Sequence, residues 1–197
     1  MRCFLVLLLG VFVINSGVSM ADRSTCSVLF EVRDGDTVNP WRTVNDGVMG
    51  GRSSGGSFVQ DGQLSFKGAT NTRGGGFSSI RLPLAAGAMA HTDYLKVSMK
   101  RDARRYSMTL RTNVTSWGRP VAFRADLHDG PKGEWGDGIL RFEELKASIW
   151  GRAVRGASFD PAEVREISFI IYDGEDGPFH LDVKRIEACQ SAMSPVS

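Results

Sequence analysis

Histidine is scarce in this chain. His91, His128 and His180 are the only three, and none stands at metal-ligand spacing from another. No Gly-x-Ser-x-Gly elbow occurs, so the nucleophile turn of the α/β hydrolases is excluded. Charge of one sign is missing as well. The 24 Lys and Arg against 22 Asp and Glu give a formal charge of +2, which removes any global pull toward nucleic acid or an anionic membrane. Acidic pairs can be picked out of any chain with this many carboxylates, so they single out nothing. A catalytic constellation leaves a local trace, and none is found. The expectation is a non-enzyme with no metal and no cofactor.

Long apolar runs are also rare. The one present, Phe4 to Ile14, follows Arg2 and precedes Ser19-Met20-Ala21, whose small residues suit cleavage after Ala21. This predicts a secretory signal peptide over residues 1–21, and hence a periplasmic or extracellular protein. The run is too short for a membrane span, which needs about 20 apolar residues, and it is neither Arg-rich nor amphipathic like a mitochondrial presequence. Losing Arg2 lowers the formal charge from +2 to +1. Residues 22–189 read as a single domain without internal repeat or linker, expected to be monomeric, and residues 190–197 as a disordered tail.

Of three cysteines, Cys3 lies in the signal segment, leaving Cys26 and Cys189 at the two ends of the domain. In an oxidising compartment an even pair reads as a disulfide, the alternative being two free thiols. The bridge requires the chain ends to meet, as they do where the first and last strands of a β-sandwich pair.

Little of the remainder reads as helix. Short alternating segments separated by Gly, Asp and Pro predict strands at Ser27 to Val32, Ser57 to Gln60, Gln63 to Gly68, Phe77 to Leu82 and Tyr94 to Lys100. Asp61-Gly62 is a type I′ hairpin signal. Further strands are read around Tyr106 to Arg111 and Val121 to Asp126, then at Glu166 to Tyr172 and Pro178 to Ile186. In the last, Phe179, Leu181 and Val183 are expected inward and His180, Asp182 and Lys184 outward. Asp160-Pro161 suits the N-cap and first position of a one-turn helix. Regular short strands with one wet face argue an all-β antiparallel sandwich or barrel.

Trp41 to Gly55, WRTVNDGVMGGRSSG, is the most unusual stretch. It is too glycine-rich for a helix and too long for a hairpin turn, so it reads as a loop needing special backbone angles or close approach. Two readings stand. In one it is a binding surface, with Asn45, Asp46, Arg52 and Ser53 supplying polar groups. In the other it is architectural, with Trp41 plugging an open end of the sandwich and Asp46 tying down a turn.

A second candidate is the outer face of the central strands. Arg111 and Arg124, with Thr109, Asn113 and Asp126, share one sheet face there, and Trp117 and Trp135 sit in neighbouring loops. Aromatic surface beside fixed polar groups suits a sugar. Arg and Trp equally suit a protein partner, and an ordinary solvated face is the third reading. Asp34-Gly35-Asp36 and Asp173-Gly174-Glu175-Asp176-Gly177 resemble calcium loops in composition but fit no EF-hand, and such turns are mostly just turns. Asn113-Val114-Thr115 is a glycosylation sequon.

Trp41-x-x-Val44-Asn45-Asp46-Gly47-Val48-Met49-Gly50-Gly51-x-Ser53 resembles the opening motif of the complex I intermediate-associated protein family. Gly74-Gly75-Gly76-Phe77, Arg105-Tyr106, Trp135 with Leu140-Arg141-Phe142, and Gly177-Pro178-Phe179-His180-Leu181 continue the resemblance over about Val28 to Ile186. It implies a jelly-roll sandwich similar to galactose-binding-like domains and carbohydrate-binding modules. Mitochondrial members of the family are assembly chaperones for respiratory complex I rather than enzymes. The family's Gly-Asp-Gly ahead of the central strand is replaced here by Arg101-Asp102-Ala103-Arg104. The resemblance implies a protein-interaction module that holds a respiratory-complex or envelope assembly intermediate. The sheet-face chemistry offers an oligosaccharide as the alternative ligand.

Overall fold

The computed structural model describes residues 25–128 and 130–191. The signal-peptide expectation lies outside them, as does the tail beyond Ser191. Among the described residues, thirteen strands form two antiparallel sheets. They are β1 (Thr25–Glu31), β2 (Arg42–Asn45), β3 (Ser54–Gln60), β4 (Gln63–Thr70), β5 (Ser78–Pro83), β6 (Tyr94–Arg101), β7 (Tyr106–Ser116), β8 (Arg119–Asp126), β9 (Gly136–Arg141), β10 (Lys146–Ile149), β11 (Arg152–Ala153), β12 (Glu166–Ile171) and β13 (Gly177–Gln190). One sheet runs β3-β4-β13-β6-β9, with β1 also paired to β13; the other runs β11-β10-β8-β7-β12-β5-β2.

The alternating pattern places one row of each sheet in the core. Leu95, Val97 and Met99 of β6 and Leu181 and Val183 of β13 meet Ile80, Met108, Leu110, Ile167 and Phe169 from the opposite sheet, all fully buried. Asp61 and Gly62 have φ of 52° and 68°, the two positive values that a type I′ turn requires. Asp160 caps a 3-10 turn at Pro161–Glu163, its Oδ1 accepting from Ala162 N–H at 2.9 Å.

The structure departs from the sequence reading at several points. Arg42–Asn45 is an edge strand, paired with β5 although it lies inside the glycine-rich stretch, and Asp46–Met49 is a short 3-10 turn. Asp182, expected outward, is buried. It accepts from Ser65 Oγ at 2.6 Å and lies 2.8 Å from His180 Nε2, polar partners that a period-two pattern does not reveal. A register shift between Val183 and Arg185 turns the strand and returns Ile186 to the core. β13 then continues to Gln190, beyond the expected end at Ile186 and into the segment read as a tail. Cys26 and Cys189 face each other across β1 and β13, with Cα atoms 4.1 Å apart, and are joined as a disulfide.

Trp41 is buried between Phe169, stacked at 5.3 Å, and Phe30, edge-on at 5.4 Å. It is a core side chain.

Candidate functional site

The Asn45-Asp46 pair organises the glycine-rich stretch from within. Asp46 is fully buried. Its Oδ1 accepts from Ser53 N–H at 2.9 Å, and its Oδ2 accepts from Ser53 Oγ and Gly76 N–H, both at 2.6 Å, and from Phe77 N–H at 3.3 Å. Burial alone would raise this carboxyl. The Ser53 hydroxyl and the three backbone N–H groups outweigh it and hold Asp46 below the ordinary carboxylate value. A Cβ at Gly51 or Gly75 would fall on the Asp46 carboxylate, so both positions need glycine for close approach. Asn45 bridges outward: its Nδ2 donates to Gly55 O at 3.0 Å, and its Oδ1 accepts from Ser78 Oγ at 2.6 Å. Asn45, Asp46 and Ser53 therefore hold the segment after β2 against the segment before β5. Arg52 is exposed.

The same turn shows a different face to solvent. Val48 and Met49 are largely exposed and form one wall of a groove of about 700 Å³ on the outer face of the seven-stranded sheet. Trp150, at the turn between β10 and β11, lines the opposite side, and Tyr172 also lines the groove. The floor follows from strand register. Arg42, Arg81, Ser168, Thr109 and Arg124 stand in one cross-strand row, and Glu166, Arg111, Ala122 and Ser148 stand in the next. Ser168 and Thr109 are buried although they face away from the core. In this row, long arginine stems cover small floor residues.

Arg111 Nε donates to Glu166 Oε1 at 3.1 Å, and Arg42 Nη2 donates to Glu166 Oε2 at 3.3 Å. Arg81 Nη1 approaches Oε1 at 3.7 Å. Arg124 Nε donates to Thr109 Oγ1 at 3.2 Å. Desolvation draws Arg81, Arg111 and Arg124 below the ordinary guanidinium value, and for Arg81 and Arg111 neighbouring guanidinium charges reinforce this against the opposing charge of Glu166. All three remain cationic at neutral pH.

The expected aromatic neighbours lie elsewhere. Trp117 is 95% exposed at the tip of the β7–β8 hairpin and is not among the groove-lining residues. Trp135 precedes β9 in the other sheet, with Lys184 Nζ 4.2 Å from its ring centroid. Trp150 stands where Trp117 and Trp135 were expected, beside Arg111 and Arg124. Its signal was present in the sequence: Trp117-Gly118-Arg119 recurs as Trp150-Gly151-Arg152. Both tryptophans have positive φ, 54° and 49°, in turns that favour Asn, Asp or Gly. Arg119 lies over the Trp150 ring at 4.0 Å and links the two tips. Arg81, Glu166 and Tyr172 were also missed, because only register brings them to Arg111.

The acidic loops are otherwise engaged. Arg104 Nε and Nη2 each reach the Asp173 carboxylate at 2.7 Å, and the same guanidinium donates to Gly177 O, Pro178 O and Thr70 Oγ1. The departure at Arg101-Asp102-Ala103-Arg104 thus supplies a cation to the loop at Asp173. Asp36 Oδ2 accepts from Arg33 N–H at 2.8 Å, closing its own turn. No group of three metal-ligating side chains occurs among the described residues.

A search of curated proteins returned no match. Among solved structures, the chain is similar to the family 11 carbohydrate-binding module of the cellulosomal cellulase Lic26A-Cel5E of Clostridium thermocellum. That match has a TM-score of 0.57 and 13% identity, covering 88% of this chain and 98% of that one. The same type of module from that organism, in complex with a mixed-linked β-1,3-1,4 tetrasaccharide, aligns with a TM-score of 0.53 and 12% identity over 83% of this chain and 96% of that one. A family 30 carbohydrate-binding module aligns with a TM-score of 0.52 and 14% identity, over 85% and 99%. At these identities the likeness establishes the fold, a jelly-roll β-sandwich. The family model described as Complex I intermediate-associated protein 30 (CIA30) matches residues 30–183, and the chain belongs to that family.

Proposed function

We propose that this protein is a non-catalytic, exported binding module that holds an oligosaccharide in the groove of its seven-stranded sheet. The observation that carries the reading is the exposed Trp150 and Tyr172 lining one groove with Arg111 and Arg124. Flat aromatic surface takes the apolar face of a sugar ring, and fixed donors take its hydroxyls. An oxidising compartment suits the Cys26–Cys189 bridge. Solved modules of the same fold carry carbohydrate binding in their descriptions, and one holds a tetrasaccharide.

A thermal-shift screen of the purified protein against an oligosaccharide panel tests this reading. A ligand at 100 times its Kd adds about 2.7 kcal/mol, a readable shift. The expected result is a sugar-specific shift that Trp150→Ala abolishes while the unliganded melting temperature holds. No shift with any sugar, in a folded sample, overturns it.

The exposed Val48 and Met49 support a second reading. An apolar pair at the groove wall also suits a protein surface, and the family description names association with a complex I intermediate. In that reading the protein holds a partly assembled partner. A photocrosslinker at Met49 then captures one defined protein in native envelopes, and Met49→Asp releases it.

A further inference from the structure

The groove holds far more positive than negative charge. Three guanidinium groups, from Arg81, Arg111 and Arg124, line it with a single carboxylate, Glu166, and Arg42 reaches that carboxylate from the edge. Asp126 and Lys146 lie on the same face at its margin and offset each other in sign. The imbalance is local, because the whole chain is near neutrality. It is also partly desolvated: the side chains of Arg81 and Arg111 are 20% and 30% exposed. Charge taken out of water without a partner is unfavourable, so such a cluster either serves a ligand or weakens the fold.

The donors are also incompletely used. Arg81 Nε is buried without a hydrogen-bond partner. Its link to Glu166, at 3.7 Å, is longer than a hydrogen bond. Among the described residues Arg124 donates only through Nε, to Thr109, which leaves both terminal nitrogens for another acceptor. The single charge of Glu166 is shared among Arg42, Arg81 and Arg111, and it makes no bond to Arg124. A planar guanidinium fork with two free N–H groups matches an oxyanion of similar width. A neutral sugar hydroxyl satisfies one donor and leaves the charge uncompensated.

Resting on the oligosaccharide reading above, we infer that the groove selects an acidic glycan, a sugar chain bearing carboxylate or sulfate groups, through Arg124 and Arg81, with Trp150 stacking on a neighbouring ring. An acidic peptide offers the same charge but no flat ring face for Trp150.

The test is calorimetric titration of the whole protein with five probes. These are oligogalacturonate, the same oligomer as its neutral methyl ester, sulfated dextran, plain dextran and an oligoglutamate peptide. At least one acidic glycan is expected to bind about tenfold or more tighter than its neutral counterpart, a difference of about 1.4 kcal/mol. That advantage shrinks as salt rises. Whichever acidic arm binds tells carboxylate from sulfate. Arg124→Gln, checked for an unchanged melting temperature, removes the preference. Arg124→Lys keeps the charge, loses the fork and restores only part of it. Arg81→Gln is the second variant should Arg124→Gln misfold. Equal binding of the acidic and neutral members of each pair overturns the inference and leaves the oligosaccharide reading standing. Oligoglutamate binding as tightly as the acidic glycans overturns the sugar as its object. Binding by no probe overturns the inference, and the oligosaccharide panel then decides the reading on which it rests.

Discussion

The Asp46 turn and the arginine groove adjoin each other through Val48 and Met49, and they treat charge in opposite ways. In the turn, one carboxylate is fully buried and both its oxygens accept, together taking four donors from Ser53, Gly76 and Phe77. At the groove, Arg42, Arg81 and Arg111 share one glutamate, Arg124 bonds only Thr109 among the described residues, and donors stay unused. A buried charge with complete partners holds a fold together, whereas partly buried charges with incomplete partners keep donors free for an added acceptor. The family's signature motif lies almost wholly in the first kind of site and contributes only Val44, Val48 and Met49 to the groove lining.

That contrast breaks first at Asp46. Asp46→Ala leaves four donors facing an empty site and is expected to cost at least about 3 kcal/mol by urea denaturation. Groove affinity per folded molecule should not change. A loss below about 1 kcal/mol would show that the turn is not a structural hub. Gly75→Ala, which drives a methyl into the same carboxylate, is expected to cost about 2 kcal/mol.

A third effect depends on pH. The folded Asp46 carboxyl titrates below its ordinary 3.8, so the unfolded chain binds its proton first. The stability this group confers is fully present above that ordinary value and is lost as pH falls through the folded one. Asp173, held down by its bond to Arg104 against the effect of burial, adds in the same direction. Denaturation midpoints measured from neutral pH to below 3.8 should fall, and the fall should be shallower in Asp46→Asn. A parallel fall in both proteins removes Asp46 from the acid transition.

The smallest expected change in stability is at Trp150. Trp150→Ala removes an 80% exposed ring and should shift stability by less than about 0.5 kcal/mol while abolishing groove binding. A large destabilisation would instead make the Trp150–Arg119 stack part of the fold.

Much of the fold was legible because β-sheets announce themselves locally. Period-two alternation marked β6, β7, β8 and the first part of β13, and Asp61-Gly62 marked its hairpin. β2 was hidden because it lies within a glycine-rich stretch and is held by β5, far along the chain. At the candidate site, Arg111 and Arg124 were readable as one face of adjacent strands. Arg81, Glu166 and Trp150 were not.

The amino-acid sequence alone therefore pointed to the family, to an all-β sandwich, to a Cys26–Cys189 pairing and to the inward rows of the central strands, all of which the comparisons and the structure bear out. Each rests on local pattern, or on chain ends that such a sandwich brings together. Folding in three dimensions assigned Asp46 to the interior, sent Trp117 and Trp135 away from the arginines, and brought Trp150, Arg81 and Glu166 to them. Those outcomes depend on the register between strands distant in sequence, and register is set by how the whole sheet closes over its core.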